Sequence, residues 1–192
     1  MIGRVASLLG TLALAAPLAL AQTSTWVPDK AHSGVDFSIL HMSLSQVRGH
    51  FGNISGSIVW NEGDITKSTV NVTIDVTTVD TGVAARDADL KSDHFFDVAQ
   101  FPTATFVSTS VSKSGSGLTI SGNLTLHGVT KPVVLQVDGP RGPLPGMDKK
   151  PHAGFSATTT VKRTDFGIAT KYPPSMVGDD INLTIDLDVA KQ

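Results

Sequence analysis

Cysteine is absent from all 192 residues. No disulfide, thiolate nucleophile or cysteine-ligated metal can therefore operate, and stability must come from the packed core alone. Aromatic residues are few, 6 % with a single tyrosine. Charge of either sign is scarce and nearly balanced, with 15 Lys and Arg against 17 Asp and Glu. Taken over the whole chain, that balance provides neither the basic footprint of a nucleic-acid-binding protein nor a polybasic attraction to anionic lipid. The patterns H-E-x-x-H, G-x-S-x-G and the phosphate-binding loop do not occur. The only long uninterrupted apolar run lies at the N-terminus.

That run, Met1–Ala21, carries one basic residue (Arg4), an uncharged stretch from Val5 to Leu20, and the small–x–small ending Ala19-Leu20-Ala21. It reads as a secretory signal peptide with cleavage between Ala21 and Gln22. A membrane-spanning helix needs about 20 apolar residues; this run is shorter and holds Pro17. The expected destination is the periplasm or the exterior. Residues 22–192 then form one domain, made one unit more acidic by the loss of Arg4, and long enough to build a core or enclose a cavity.

The domain is dominated by alternation of apolar and polar residues, the period of half-buried β-strands. Val35–Ile39, Val70–Val76, Leu118–Leu126, Phe155–Val161 and Ile181–Val189 all show it. In the last, Ile181, Leu183, Ile185, Leu187 and Val189 share one face, and Asn182, Thr184, Asp186 and Asp188 the other. Turn residues separate the runs at Asn61–Asp64, Ser114–Gly117 and His127–Pro132. Gly139–Gly146, with three prolines and three glycines, reads as a loop. Thr81–Lys91 lacks the alternation and predicts a short helix. Eight to ten strands in one domain imply an antiparallel barrel or sandwich.

Parity places Phe37, Ile39, Phe51, Ile54, Ile58, Val72, Ile74, Phe106, Leu124, Leu126, Leu135, Phe155, Leu183, Ile185 and Leu187 on the inward face. An eight-stranded barrel either packs such residues solid or leaves room for one small ligand, and the pattern does not choose between these. His32, His41, His50, His94, His127 and His152 are scattered, without metal-ligand spacing, so no metal site is expected. The abundant Ser and Thr have no neighbouring base, so no catalytic residues are assigned and the chain does not read as an enzyme. Arg163 is expected at a barrel rim, paired with Asp165. His41, His127 and Arg163, all at strand ends, are the candidates for polar groups at a cavity mouth.

Five segments taken together resemble the YceI-like family of exported, lipocalin-type proteins. They are Trp26–Met42, Val47–Ile58, Arg86–Phe106, Gly122–Val133 and Phe155–Ile168, in the family's order and over nearly the whole domain. The resemblance implies an eight-stranded antiparallel lipocalin-like barrel with a helix after the third or fourth strand. It also implies a polyisoprenoid or other long-chain lipid ligand, no cofactor, and a homodimer. On that reading the ligand-binding residues are Phe37, Ile39, Phe51, Ile54, Ile58, Val72, Ile74, Phe106, Leu124, Leu126, Leu135 and Phe155 of the inward set, together with His41 and Arg163. Two alternatives stand beside a lipid carrier: an extracytoplasmic interaction module with a packed barrel, and a lipid-acting enzyme using His41 or His127.

Overall fold

The computed structural model describes residues 22–192; the expected signal peptide and its cleavage site lie outside the described residues. Ten strands and one helix follow in order: β1 (Thr23–Pro28), β2 (Gly34–His41), β3 (Ser45–Phe51), β4 (Ser55–Asn61), β5 (Thr69–Asp75), α1 (Ala84–Lys91), β6 (Thr103–Ser114), β7 (Gly117–Leu126), β8 (Val129–Pro145), β9 (Pro151–Lys162) and β10 (Val177–Lys191).

The ten strands make eight staves. β10 pairs with β1 through Val189–Lys191 and with β2 through Val177–Asp186. The partners repeat the division, β4 on β1 and β3 on β2. β1–β2 and β3–β4 are therefore two long staves, each broken once. The order β1-β4-β5-β6-β7-β8-β9-β10, with β10 returning to β1, closes an antiparallel barrel. Closure removes the exposed edges that would otherwise invite aggregation, except along β3, whose only strand partner among the described residues is β2.

Local chemistry explains the connections. β2 and β3 are joined by Met42-Ser43-Leu44, whose Leu44 N–H donates to the His41 carbonyl, and β7 and β8 by His127-Gly128; Met42, Ser43, His127 and Gly128 all have positive φ. Such turns have the twist that antiparallel strands need. β6 and β7 are joined through Gly115-Ser116, as expected. The predicted loop after Asp138 is instead a continuation of the sheet. β8 runs to Pro145, with register shifts between Asp138 and Arg141 and again between Arg141 and Leu144. Gly139 and Gly142 sit at those bulges with φ of 132° and 96°, values that glycine adopts without a Cβ clash. Pro140 and Pro143 fall where the ladder is already interrupted, so they do not end the strand, and Pro145 stands at its last pair, opposite Pro151. Only residues 146–150 form the turn.

Inside the barrel, one large apolar core runs from Val35 and Phe37 to Phe166, Ile168 and Ala169. A smaller cluster of Trp26, Ile58, Ala153 and Val189 closes one end, with Trp60 and Phe155 against it. The Trp26 and Trp60 ring centroids are 5.3 Å apart, and those of Trp60 and Phe155 5.9 Å. The opposite end is covered by α1 and the residues after it. Phe51 meets Phe96 at 5.5 Å, and Phe95 stacks on Tyr172 at 5.7 Å.

Candidate apolar ligand cavity

Two cavities lie end to end within the barrel, each about 130 Å³. The upper one is bounded by Ile54, Ile58, Trp60, Val72, Phe106, Leu118, Ile120, Leu135, Phe155 and Leu187, among others, and only Ser68 and Thr159 interrupt its hydrocarbon wall. The lower one is bounded by Phe37, Ile39, Phe51, Leu90, Phe95, Phe96, Leu126, Val161, Ile168 and Val177, with Arg163 in its wall. Val35, Ile74, Leu124 and Leu183 line both, forming a waist between two chambers.

This void is energetically expensive. At roughly 24 cal/mol per Å³, each chamber costs on the order of 3 kcal/mol relative to a filled core. That is a large fraction of the roughly 5–15 kcal/mol that separates folded from unfolded domains. Water does not recover the cost, because an apolar cavity gives a water molecule no hydrogen-bonding partners. A hydrocarbon ligand would.

Twelve of the sequence-selected residues lie in this wall on the strength of apolar parity: Phe37, Ile39, Phe51, Ile54, Ile58, Val72, Ile74, Phe106, Leu124, Leu126, Leu135 and Phe155. Leu183, Ile185 and Leu187 join them. The three expected mouth groups fare differently. His41 is exposed at the end of β2 and lines neither chamber. The Nδ1 of His127 is 3.1 Å from the Phe166 carbonyl, and its ring lies against Phe101 at 4.6 Å, a structural role.

Arg163 corrects the reading most. It is 1 % exposed, and Asp165 is not its partner. Its Nε donates to the Gly178 carbonyl at 3.0 Å; Nη1 donates to Ile168 at 3.1 Å and Ala169 at 2.7 Å; Nη2 donates to Tyr172 at 2.6 Å and Val177 at 2.9 Å. A guanidinium has five N–H groups, and all five are committed to backbone carbonyls. No donor remains for a headgroup. The charge instead ties the 168–178 segment over the lower chamber.

Missed wall residues fall into two classes. Val35, Val70, Val111, Leu118, Ile120, Val133 and Val137 were available from the same alternation. Leu90, Phe95, Phe96 and Ile168 come from α1 and irregular segments, where no period marks the inward direction.

The most concentrated set of ionisable side chains is outside the barrel. His152, its side chain 19 % exposed, bonds Asp188 at 2.6 Å and Asp148 at 3.2 Å, while His32 bonds Asp29 at 2.9 Å. These residues border a groove beneath the β8–β9 turn. Among the described residues, no three His, Asp or Glu side chains converge as a metal site requires. The hydrogen bond to Asp188 holds the His152 pKa above its ordinary 6.5. Asp148 is held below its ordinary 3.8, first by the Lys150 backbone N–H and then by His152.

These two directions define a window for the turn. The His152 contribution is complete below about pH 6.5 and is lost as pH rises through the raised folded value; the Asp148 contribution is present above about pH 4 and lost as pH falls through the lowered one. Hydrogen-exchange protection of the Gly146 and Lys149 amides, which donate to the Lys150 and Gly146 carbonyls, is therefore expected to drop as pH rises from about 6.5 through the raised His152 value. His152→Ala should abolish that drop. An unchanged pH profile in the variant would show that His152 does not hold the turn.

Comparison with known proteins follows this geometry closely. The model of the YceI-like domain matches residues 26–189. The chain belongs to the YceI-like family. It is 41 % identical over 165 residues to Protein YceI of Salmonella newport, covering 84 % of this chain and 83 % of that one. The crystal structure of the Campylobacter jejuni YCEI protein superposes with a TM-score of 0.70 at 32 % identity, over 78 % of this chain and 87 % of that one. A Saccharophagus degradans polyisoprenoid-binding domain, implicated in plant cell wall breakdown, shares the fold at 15 % identity, with a TM-score of 0.62 over 89 % of this chain and all of that one. Membership of the family agrees with the eight-stave antiparallel barrel and its one α-helix, which follows β5.

Proposed function

We propose that this protein is a periplasmic carrier or reservoir for a long-chain isoprenoid lipid, such as an isoprenoid quinone, held with its tail in the two chambers. The observation that carries the reading is the almost wholly hydrocarbon lining of the two chambers, in which the Ser68 hydroxyl and the Arg163 guanidinium already have hydrogen-bond partners in the protein. Burying each methylene yields roughly 0.8 kcal/mol. A prenyl tail therefore binds with almost no polar recognition, and selection falls on length and shape. The leader-like N-terminus and the polyisoprenoid-binding relative of the same fold support the location and the cargo. Arg163, fully engaged with backbone carbonyls, is the only ionisable side chain lining either chamber among the described residues, so holding the ligand is the chemistry that this geometry favours.

Mass spectrometry of an organic extract of the purified protein is expected to find an isoprenoid lipid. Removing it should lower the melting temperature, and adding an isoprenoid quinone should restore it; saturation at a hundredfold over Kd contributes about 2.7 kcal/mol. Extracts without lipid, together with no uptake and no thermal shift, would overturn the reading.

A further inference from the structure

The β2–β3 turn places an apolar side chain where the backbone is least comfortable. Met42 and Ser43 have φ of 53° and 56°, positions usually occupied by glycine, asparagine or aspartate. Leu44 is 85 % exposed, Met42 46 % and Met176 43 %, and Leu40 is exposed nearby. The hairpin is clamped to the residues that precede β10. Met42 N–H donates to the Met176 carbonyl at 2.8 Å, and the Ser43 hydroxyl to the Ser175 carbonyl at 3.3 Å. Apolar residues gathered on a rigid, strained projection differ from the single exposed ones scattered over any surface.

Beneath this tip the barrel wall is interrupted. Between the pairs His41–Val177 and Ile39–Ile181 the ladder slips, so that residues 178–180 bulge opposite Leu40 alone. Ile39, Val177 and Ile181 at that slip line the lower chamber. β3 pairs with β2 on one side, while its other side makes only the isolated bridge from His50 to Asp80.

Arg48 on β3 and Lys171 beside Tyr172 have no carboxylate within ion-pairing distance among the described residues. The neighbouring acids are engaged, Asp36 with His50 and Asp179 and Asp180 with Lys162. Leu144 and Met147 are also exposed, at the β8–β9 turn that carries Lys149 and Lys150, but the groove beneath them is bordered by three carboxylates, Asp29, Asp148 and Asp188, held by His32 and His152.

We propose that the β2–β3 tip with Met176 docks on a phospholipid bilayer, its apolar side chains entering the headgroup boundary while Arg48 and Lys171 meet lipid phosphates, and that the lower chamber exchanges lipid there. Although the chain's overall charge offers no such attraction, its local distribution does. The inference rests on the carrier reading for the lipid exchanged. Self-association through the same tip would set Arg48 and Lys171 against their own copies, so a bilayer is the better occupant.

Flotation with vesicles of phosphatidylethanolamine and phosphatidylglycerol tests docking. The full domain is expected to float, and L44D combined with M42D to reduce flotation by about tenfold or more, with an unchanged melting temperature and unchanged uptake of isoprenoid quinone delivered in detergent. L144D with M147D should float like the parent. Omitting phosphatidylglycerol should weaken flotation without abolishing it. The proposal is overturned if the parent does not float, if the tip variant floats equally well, or if the tip variant changes only the oligomeric state in light scattering. Persistent flotation without quinone uptake would leave docking standing and remove the carrier reading.

Discussion

Replacing Arg163 with alanine is expected to lower the unfolding free energy by about 3–5 kcal/mol, near the upper limit for single substitutions. Burial of an unpaired guanidinium would ordinarily be prohibitive, and here five carbonyls replace its water. Removing it strips those carbonyls of a charged donor at once, and a hydrogen bond from a charged group is worth about 1.5–3 kcal/mol. Arg163→Lys should fail as well, because an ammonium has only three N–H groups and no planar fork to reach five acceptors. The measurement is denaturant unfolding, with hydrogen exchange across residues 168–178 to show where order is lost. A loss below about 1 kcal/mol with unchanged protection would show that the segment holds itself. Because that segment covers the lower chamber, Ile168 and Val177 should become mobile first, and lipid retention should fall before the barrel unfolds.

The second large effect is expected at the waist. Leu183 lines both chambers from β10, and Leu183→Trp should occupy the passage between them. A tail long enough to span the waist then loses about five buried methylene equivalents, or about 4 kcal/mol and a factor on the order of a thousand in Kd. A short isoprenoid alcohol that fits one chamber should keep its affinity within a few-fold. The same substitution should stabilise the lipid-free protein, since filling a void recovers energy that overpacking a dense core would forfeit. Titration with farnesol and with a long-tailed quinone, followed by the fluorescence of the introduced tryptophan, separates the two. Equal losses for both ligands would mean that the chambers do not act as one site.

How far the chain's own pattern reached differs between element types. In Ile181–Val189 the inward and outward faces could be read residue by residue, because a strand has a period of two and water lies on one side only. The same rule found the cavity wall from Phe37 to Phe155. It failed at Gly139–Pro145, where glycine and proline usually mark a loop: bulges absorb them, and the adjacent β9 supplies the pairing that local sequence cannot reveal. It was silent for Leu90, Phe95 and Phe96, whose burial depends on where α1 settles across the barrel end. Arg163 was misplaced for a related reason. A charged residue at a strand end is solvated by default, and only the return of residues 168–178 brings five carbonyls around it.

The sequence by itself determined one antiparallel β domain, barrel or sandwich, free of disulfides, with an apolar inner face and no recognisable catalytic constellation. These follow from composition and from a period of two, both properties of neighbouring residues. Tertiary structure decided that the inner face is left unfilled, that its two chambers meet at Val35, Ile74, Leu124 and Leu183, and that Arg163 closes one of them. Those outcomes depend on strand stagger and on contacts between residues distant in the chain. Alternation specifies which side chains face inward, but the space left between them is set only when all eight staves close.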